Sequence, residues 1–115
     1  LALLRAASPI GSDQELSLDA EFAEATLGQL WNCAALFCWT AIPYRTEWRY
    51  TSASAKLIAL DAGHACQALY MACEALELGT CAVGAYDQNR MDQVLGVDGI
   101  DEFAVYMAPV GRPKE

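Results

Sequence analysis

One long apolar helix limits most strongly what this chain can fold into. From Leu57 onward, apolar residues recur at spacings of three and four and fall on two neighbouring stripes of a predicted helix. Two adjacent apolar stripes leave almost no face for water, so we predict that this helix is buried on most sides. The stripes are Leu57, Leu60, His64, Ala68, Met71, Ala75 and Leu78, and beside them Ile58, Ala62, Ala65, Leu69, Ala72 and Leu76.

A stop, a short strand and a turn follow this helix. Gly79 comes after the last periodic residue and suits the left-handed conformation that ends a helix without a Cβ clash. Thr80–Val83 is short, apolar and partly β-branched, which predicts a buried strand. Gly84–Ala85 carries little side chain, so a flat ligand can lie against the turn and bind main-chain N–H groups. Asp87 is placed to cap a helix predicted for Gln88–Leu95.

The rest of the chain supplies two further strands and one short helix. Asp19–Leu30 has early acids and apolar residues at helical spacing, which predicts a short amphipathic helix. Asn32–Ile42 is a nearly unbroken apolar run and predicts a central strand buried on both faces. Glu102–Val110 predicts a last core strand, and residues 1–17 are a weakly patterned lead-in. The resulting order is an α+β arrangement with the long helix packed on a small sheet.

Length, charge and cysteine usage limit the class of protein. One domain, residues 1–115, is expected. Its 7 basic and 15 acidic side chains give a formal net charge of −8, which argues against nucleic acid or an anionic membrane as partner. No apolar run is long enough to span a bilayer, and no signal peptide is visible. The 5 cysteines lie in apolar runs without a C-x-x-C pair, which favours reduced thiols in the cytoplasm over a metal site or disulfides.

Two groups of residues leave more than one interpretation open. Tyr44–Tyr50 interleaves cations and aromatic rings, so Arg45 and Arg49 either hold a phosphate or carboxylate or belong to an exposed loop and pair with the chain's acids. His64, the only histidine, is either a catalytic group with Gln67 one turn further on or a hydrogen-bonded core residue. The sequence assigns no catalytic residue.

Six short motifs occur in the order known from one protein superfamily. They are Gly28-Gln29, the segment from Arg45 to Tyr50, Ala62-Gly63-His64-Ala65-Cys66-Gln67, Ala75-Leu76-Glu77-Leu78-Gly79, Val83-Gly84-Ala85-Tyr86-Asp87 and Tyr106-Met107-Ala108-Pro109-Val110-Gly111. With these motifs the chain resembles the FMN-dependent nitroreductase superfamily, and within it the azoline-dehydrogenase (SagB-type) branch. The likeness corresponds to the C-terminal half of a family member. One residue departs from the pattern, because Ala68 stands where the family usually has Asn.

The resemblance implies a partial nitroreductase-like helix-and-sheet core that pairs as a homodimer with FMN at the subunit interface. It implies an oxidoreductase that transfers hydride through the flavin to a small-molecule or peptide-azoline substrate, with NAD(P)H as reductant. By position, Val83, Gly84 and Ala85 are expected to contact the isoalloxazine ring, and Arg112 the phosphate. The alternative interpretation of the first three is an ordinary strand-to-helix connection.

A second function also stays open. Family members hold the FMN phosphate with an Arg/Ser-rich segment near their N-terminus, and this sequence has no counterpart. The chain can therefore be a truncated, non-catalytic assembly module that keeps the dimer-forming core and has lost flavin binding. Its start in mid-pattern at Leu1 suggests either a segment of a longer protein or a degraded gene. In either case we expect a dimer, with the helix side that carries Ala62, Ala65, Leu69 and Cys73 packed against its copy.

Overall fold

A computed structural model describes residues 2–7 and 20–113 of the chain. Its strands form one antiparallel sheet in the order β1-β2-β4-β3. The strands are β1 (Ala2–Ala7), β2 (Ala35–Ala41), β3 (Gly79–Thr80) and β4 (Phe103–Gly111). The helices are α1 (residues 20–25), α2 (Tyr44–Tyr50), α3 (Ser54–Ala75) and α4 (Gln88–Leu95), and a 3₁₀ turn over Thr51–Ala53 joins α2 to α3. The predicted α+β class is confirmed.

β2 and β4 form the centre of the sheet, as their sequences predict. They pair from Ala35 opposite Val110 to Ala41 opposite Phe103, with one register shift after Trp39. β2 begins three residues later than the predicted strand, because the chain is still in a turn up to residue 34. Successive strand residues point to opposite faces of the sheet, so each strand contributes to two cores.

The two cores lie on opposite faces of the sheet. On one face, Cys38 of β2 and Met107 of β4 pack with Phe22 from α1 and with α4. On the other face, Trp39 and Ala108, which follow them in sequence, pack against α3. The sheet is therefore a layer between α3 on one side and the short helices α1 and α4 on the other.

The first strand lies in the segment for which the sequence predicted only a weakly patterned lead-in. Within residues 1–17, β1 occupies Ala2–Ala7 and pairs antiparallel with β2, from Ala2 opposite Thr40 to Ala7 opposite Leu36. Its own pattern is weak, so the open edge of β2 decides its conformation by offering unpaired backbone groups. Residues 8–19 lie outside the described part of the chain, including the start of the helix predicted for Asp19–Leu30. That helix ends at residue 25, earlier than predicted.

α3 is the long predicted helix, but it ends differently. It stops at Ala75, and Glu77 (φ 57°) takes the left-handed conformation predicted for Gly79. The N–H of Leu78 donates to the carbonyl of Cys73 at 2.8 Å, which closes the helix end as in a Schellman motif. Gly79 instead opens β3 opposite Gly111. The extended backbone needed for that pairing moves the end of the helix toward its N-terminus.

The prediction that α3 is buried on most sides is wrong for the single chain. Its buried residues form one narrow stripe, while Leu60 is 49% and Met71 66% exposed. Ala65 and Leu69, which we expected to face a second copy, pack against the sheet core instead. Leu60, His64 and Met71 define what we call the open face of α3. The buried stripe consists of Ser54, Ile58, Ala62, Cys66 and Cys73.

Candidate functional site

The turn between Val83 and Tyr86 carries unpaired main-chain donors. Its first residue is fixed to β4, because the N–H of Val83 donates to the carbonyl of Met107 at 2.7 Å and the N–H of Met107 donates back at 3.4 Å. Val83 is buried, whereas Gly84 and Ala85 are exposed. Within the described part of the chain, no acceptor pairs with the N–H of Gly84, Ala85 or Tyr86. The turn therefore has three consecutive unpaired N–H donors, and the first two belong to the small residues Gly84 and Ala85.

Two side chains from distant elements bind this turn. The N–H of Ala82 donates to the hydroxyl oxygen of Tyr70, near the end of α3, at 2.8 Å. On the other side, the side-chain amide of Gln29 donates to the carbonyl of Ala85 at 2.7 Å. The same Gln29 nitrogen donates to the carbonyl of Thr26 at 2.9 Å, which fixes its own orientation. The turn is thus connected to α3, to β4 and to the loop after α1.

A tyrosine ring lies behind Gly84. The nearest ring carbon of Tyr106 is 3.7 Å from the position that a Cβ atom on Gly84 would take. Burial raises the pKa of Tyr106, with smaller contributions from the neighbouring Cys66, Tyr70 and Cys81. The Tyr106 hydroxyl is therefore neutral at physiological pH. Small residues, main-chain donors and one neutral ring therefore come together at Gly84 and Ala85.

The C-terminal end of the turn is fixed by Tyr86 and by α4. The Tyr86 hydroxyl donates to the carbonyl of Ala104 at 3.0 Å. Burial, then the Asp92 carboxylate and then Cys38, raise the pKa of Tyr86 to about 12. Asp87 accepts a hydrogen bond from the N–H of Arg90 at 3.1 Å, so the predicted helix cap is confirmed.

Arg112 lies apart from the turn. It lines a cleft of about 650 Å³ together with Trp31, β3 and Cys81. Val83 bridges to Met107, and Arg112 follows Met107 by five residues along the chain, which is about 17 Å at roughly 3.3 Å per strand residue. The structure therefore brings Val83, Gly84 and Ala85 together in one turn. Arg112 lies elsewhere, in the cleft beside β3 and just past the C-terminal end of β4.

The other candidate residues lie outside this turn. His64 and Gln67 are exposed on α3, so the interpretation of His64 as a core residue is wrong. Tyr44–Tyr50 is the helix α2 rather than a loop, and none of its residues is buried. Within the described residues neither Arg45 nor Arg49 forms an ion pair, which also overturns the expected pairing with the chain's acids. Arg49 instead lies over the ring of Tyr50, 5.5 Å from its centroid.

Gln29 and Tyr70 are the contacts that sequence reasoning missed. Gln29 belongs to the Gly28-Gln29 motif, which matched the superfamily but carried no assigned role. Tyr70 lies outside both apolar stripes of α3, so periodicity gave it no importance. Their partners, Ala85 and Ala82, lie 56 and 12 residues away in sequence. Only the motif could have drawn attention to Gln29, and no local signal marks Tyr70.

Neither a metal-binding cluster nor a membrane-spanning helix occurs in the described part of the chain. Residues 2–7 and 20–113 contain no cluster of three or more His, Cys, Asp or Glu side chains placed to hold a metal ion. None of the described helices combines the length and apolar character needed to cross a bilayer. Burial raises the pKa of the Cys66 and Cys73 thiols, for Cys66 with a further contribution from Cys81, so both are protonated at neutral pH.

The chain matches one protein family in sequence and several solved structures in fold. The sequence model of the nitroreductase family matches residues 2–112. A Methanocaldococcus jannaschii protein, provisionally named a nitroreductase, is 32% identical over 71 residues, which are 62% of this chain and 34% of that protein. The chain therefore spans about a third of this relative's length.

Two solved structures have the same fold at low sequence identity. One is the E. coli microcin synthetase McbBCD complex with truncated pro-MccB17 bound, with a TM-score of 0.75 and 9% identity over 84% of this chain and 38% of that chain. The other is the NADPH:FMN oxidoreductase of Vibrio harveyi complexed with NAD⁺, with a TM-score of 0.71 and 17% identity over 86% of this chain and 47% of that chain. In both, this chain matches less than half of the solved chain.

Proposed function

This chain belongs to the nitroreductase family, and on that basis we propose that it is part of an FMN-dependent oxidoreductase. FMN, when bound, supplies hydride transfer, and the protein supplies binding, orientation and electrostatics. The observation that carries the proposal is the turn with three consecutive main-chain N–H groups that have no acceptor in the described part of the chain. Two of these donors, those of Gly84 and Ala85, lie at small, exposed residues, which suits a flat ligand with acceptors along its edge.

The residues of the turn fit such a ligand in size and in charge. Gly84 and Ala85 leave the backbone accessible, and Tyr106 provides a neutral ring behind Gly84. Val83 itself is buried and paired with Met107, so we assign it the role of anchoring the turn rather than of touching the ligand. Donors that are already oriented need no reorganisation when the ligand binds or gains charge.

We propose Arg112 as a contact for the FMN phosphate, away from the ring. It is a cation in the cleft beside β3, about 17 Å along β4 from the level of Val83. A charge-assisted hydrogen bond contributes roughly 1.5–3 kcal/mol, and about 1.4 kcal/mol is a tenfold change in affinity. A single such contact supports only modest affinity, so we expect this chain to bind FMN at micromolar or weaker dissociation constants.

A homodimer is the second part of the proposal, supported by the open face of α3. Leu60 and Met71 project apolar side chains there that the described residues leave exposed. A two-fold axis beside α3 lets one patch cover its own copy, as closed symmetric dimers do. We call the turn from Val83 to Tyr86 the flavin turn. We propose that it lies near this subunit interface, since Tyr70 of the same helix binds Ala82, the residue before the turn.

The proposal extends to the substrate, the reductant and the compartment. We propose a small-molecule or peptide-azoline substrate and NAD(P)H as reductant. The likeness to a complex that binds a truncated peptide precursor supports the peptide class, and the likeness to an oxidoreductase complexed with NAD⁺ supports the reductant. Reduced thiols at Cys66, Cys73 and Cys81 support the cytoplasm.

Flavin titration tests the proposed function. Purified protein is titrated into FMN while flavin fluorescence and the visible absorption spectrum are recorded. We expect quenching with a saturable midpoint, and a roughly tenfold or larger loss of affinity for Arg112→Ala. Lys56→Ala is the control cation, because Lys56 is exposed near the start of α3 and does not line the cleft of Arg112. Absence of quenching by a folded wild-type chain would overturn the flavin proposal.

A non-catalytic assembly module is the alternative function. The separation of Arg112 from the turn and the presence of Ala68 in place of the family's usual Asn favour it. The same titration separates the two proposals when it is combined with a mass measurement in solution. A dimer that leaves flavin fluorescence unchanged is the result expected for the module.

A further inference from the structure

The flavin turn has little local structure to hold its shape. Residues 84–87 lie outside any helix or strand, between the Val83 bridge and α4. Fixing one backbone residue in a single conformation costs about 1–2 kcal/mol, so a turn of this kind needs restraint from elsewhere to keep its donors oriented. Contacts from outside the turn therefore decide whether it is ready to bind a ligand.

The planarity of the peptide group shows which donor each contact orients. In a trans peptide the carbonyl oxygen and the following N–H point in opposite directions. The carbonyl of Val83 accepts from Met107, so the N–H of Gly84 points away from β4. The carbonyl of Ala85 accepts from Gln29, so the N–H of Tyr86 points away from Gln29. Gln29 thus sets the direction of the last of the three unpaired donors.

Tyr70 restrains the opposite end of the same segment. Its hydroxyl oxygen accepts the N–H of Ala82 at 2.8 Å, one residue before the bridge of Val83 to β4. The two side chains come from different elements, because Tyr70 lies in α3 and Gln29 in the loop after α1. Tyr70 acts one residue before the Val83 bridge and Gln29 two residues after it, so the two contacts hold the segment on both sides of that bridge.

We propose that Gln29 and Tyr70 are positioning residues for the flavin turn. This inference rests on the proposed function, since it assigns them the task of orienting the N–H groups of Gly84 to Tyr86 toward the ligand. The second hydrogen bond of Gln29, to Thr26, keeps its amide nitrogen facing Ala85 in the ligand-free protein. The turn is therefore shaped before the ligand arrives, and removing either side-chain contact weakens binding without unfolding the domain.

Two conservative variants test the inference. Gln29→Met keeps the length of the side chain and removes the donor, and Tyr70→Phe keeps the ring and removes the acceptor. Matched controls are Gln93→Met and Tyr44→Phe, whose side chains are exposed and form no described contact with the turn. We expect about threefold to tenfold weaker FMN binding for each test variant, unchanged binding for each control, and melting temperatures close to wild type for all four.

A second readout without flavin separates failure of this inference from failure of the proposed function. Amide NMR of the ligand-free protein should show shifted resonances and lower backbone order parameters at Gly84, Ala85 and Tyr86 in both test variants and in neither control. If wild type binds no FMN, the proposed function fails and the amide spectra still decide the inference. Unchanged amides, or FMN affinity equal to wild type in both test variants, would overturn it.

Discussion

The central strands and the long helix are both apolar in sequence, yet the fold covers them very differently. Cys38 of β2 and Met107 and Ala108 of β4 have no exposed surface at all. α3, by contrast, buries one narrow stripe, and Met71 on its open face is 66% exposed. A strand in the middle of a sheet has neighbours along both edges and on both faces. A helix that lies on a sheet is covered from one side only.

This difference shows that apolar patterning predicts contact with protein without saying which protein supplies it. For β2 and β4 the chain itself supplies the contact. For the open face of α3 the described residues supply none, and each Å² of apolar surface left in water forgoes roughly 25 cal/mol. The open face of α3 is therefore the region where a further protein surface has most to contribute, which is the basis of the proposed homodimer.

We expect the largest effect on folding when the same residue, Asp, is placed on the covered face and on the open face of α3. Ala62→Asp places a carboxylate at a site that is 2% exposed and faces the sheet. An uncompensated buried charge destabilises by about 3–5 kcal/mol, so we expect loss of the native circular dichroism spectrum at 25 °C. Leu60→Asp on the open face is the control, and this variant should keep the native circular dichroism spectrum. Equal spectra for both variants would show that Ala62 is not enclosed.

The next comparison uses two methionines, one in the sheet and one on the open face. Met107→Ala empties a fully buried site in β4, and we expect it to lower the free energy of unfolding by about 2–5 kcal/mol. Met71→Ala on α3 should change it by about 0.5 kcal/mol or less at dilute protein concentration. Urea titration with a common slope measures both. Losses of similar size would mean that Met71 is covered in solution.

The pH dependence of the free energy of unfolding tests the burial of Tyr86 in the covered region. Its folded pKa of about 12 lies above the ordinary value of 10.0, so the folded state holds the proton more tightly. The resulting stabilisation is complete below pH 10 and is lost as the pH rises toward 12, by less than about 2.7 kcal/mol because the side chain is only half-buried. Tyr86→Phe should flatten this loss between the two pH values. An identical pH profile for both proteins would contradict the assignment.

The smallest effect on stability is expected at the open face, where assembly should change instead. Met71→Asp adds a charge to an exposed site, so the monomer fold should remain within about 0.5 kcal/mol of wild type. If α3 pairs with its copy, the charge weakens that pairing, and sedimentation velocity should show a shift from dimer to monomer. Ala55→Asp, exposed near the start of α3, is the matched control. A wild-type chain that sediments near 12.4 kDa would refute the dimer.

Much of the fold follows from local signals in the sequence. Gln88–Leu95 has the predicted bounds because Asp87 caps its first turn and Gly96, with φ 76°, ends it in the left-handed conformation. β2 and β4 follow from nearly unbroken apolar runs, which are typical of strands buried on both faces. The grouping of Val83, Gly84 and Ala85 in one turn also follows from their adjacency in sequence.

The remaining features depend on residues that only the fold brings together. Ala2–Ala7 is a strand because β2 offers an open edge, and Glu77 ends α3 because Gly79 pairs with Gly111. Such pairings join distant parts of the chain, so no local pattern contains them.

The sequence by itself determined the family, the helix–sheet class and the position of the turn, because periodicity, capping and short motifs act between near neighbours. The tertiary structure decided which face of α3 the sheet covers and which side chains hold the turn. Gln29 reaches Ala85 across 56 residues and Tyr70 reaches Ala82 across 12. Each hydrogen bond exists only where packing has already placed donor and acceptor within about 3 Å of each other.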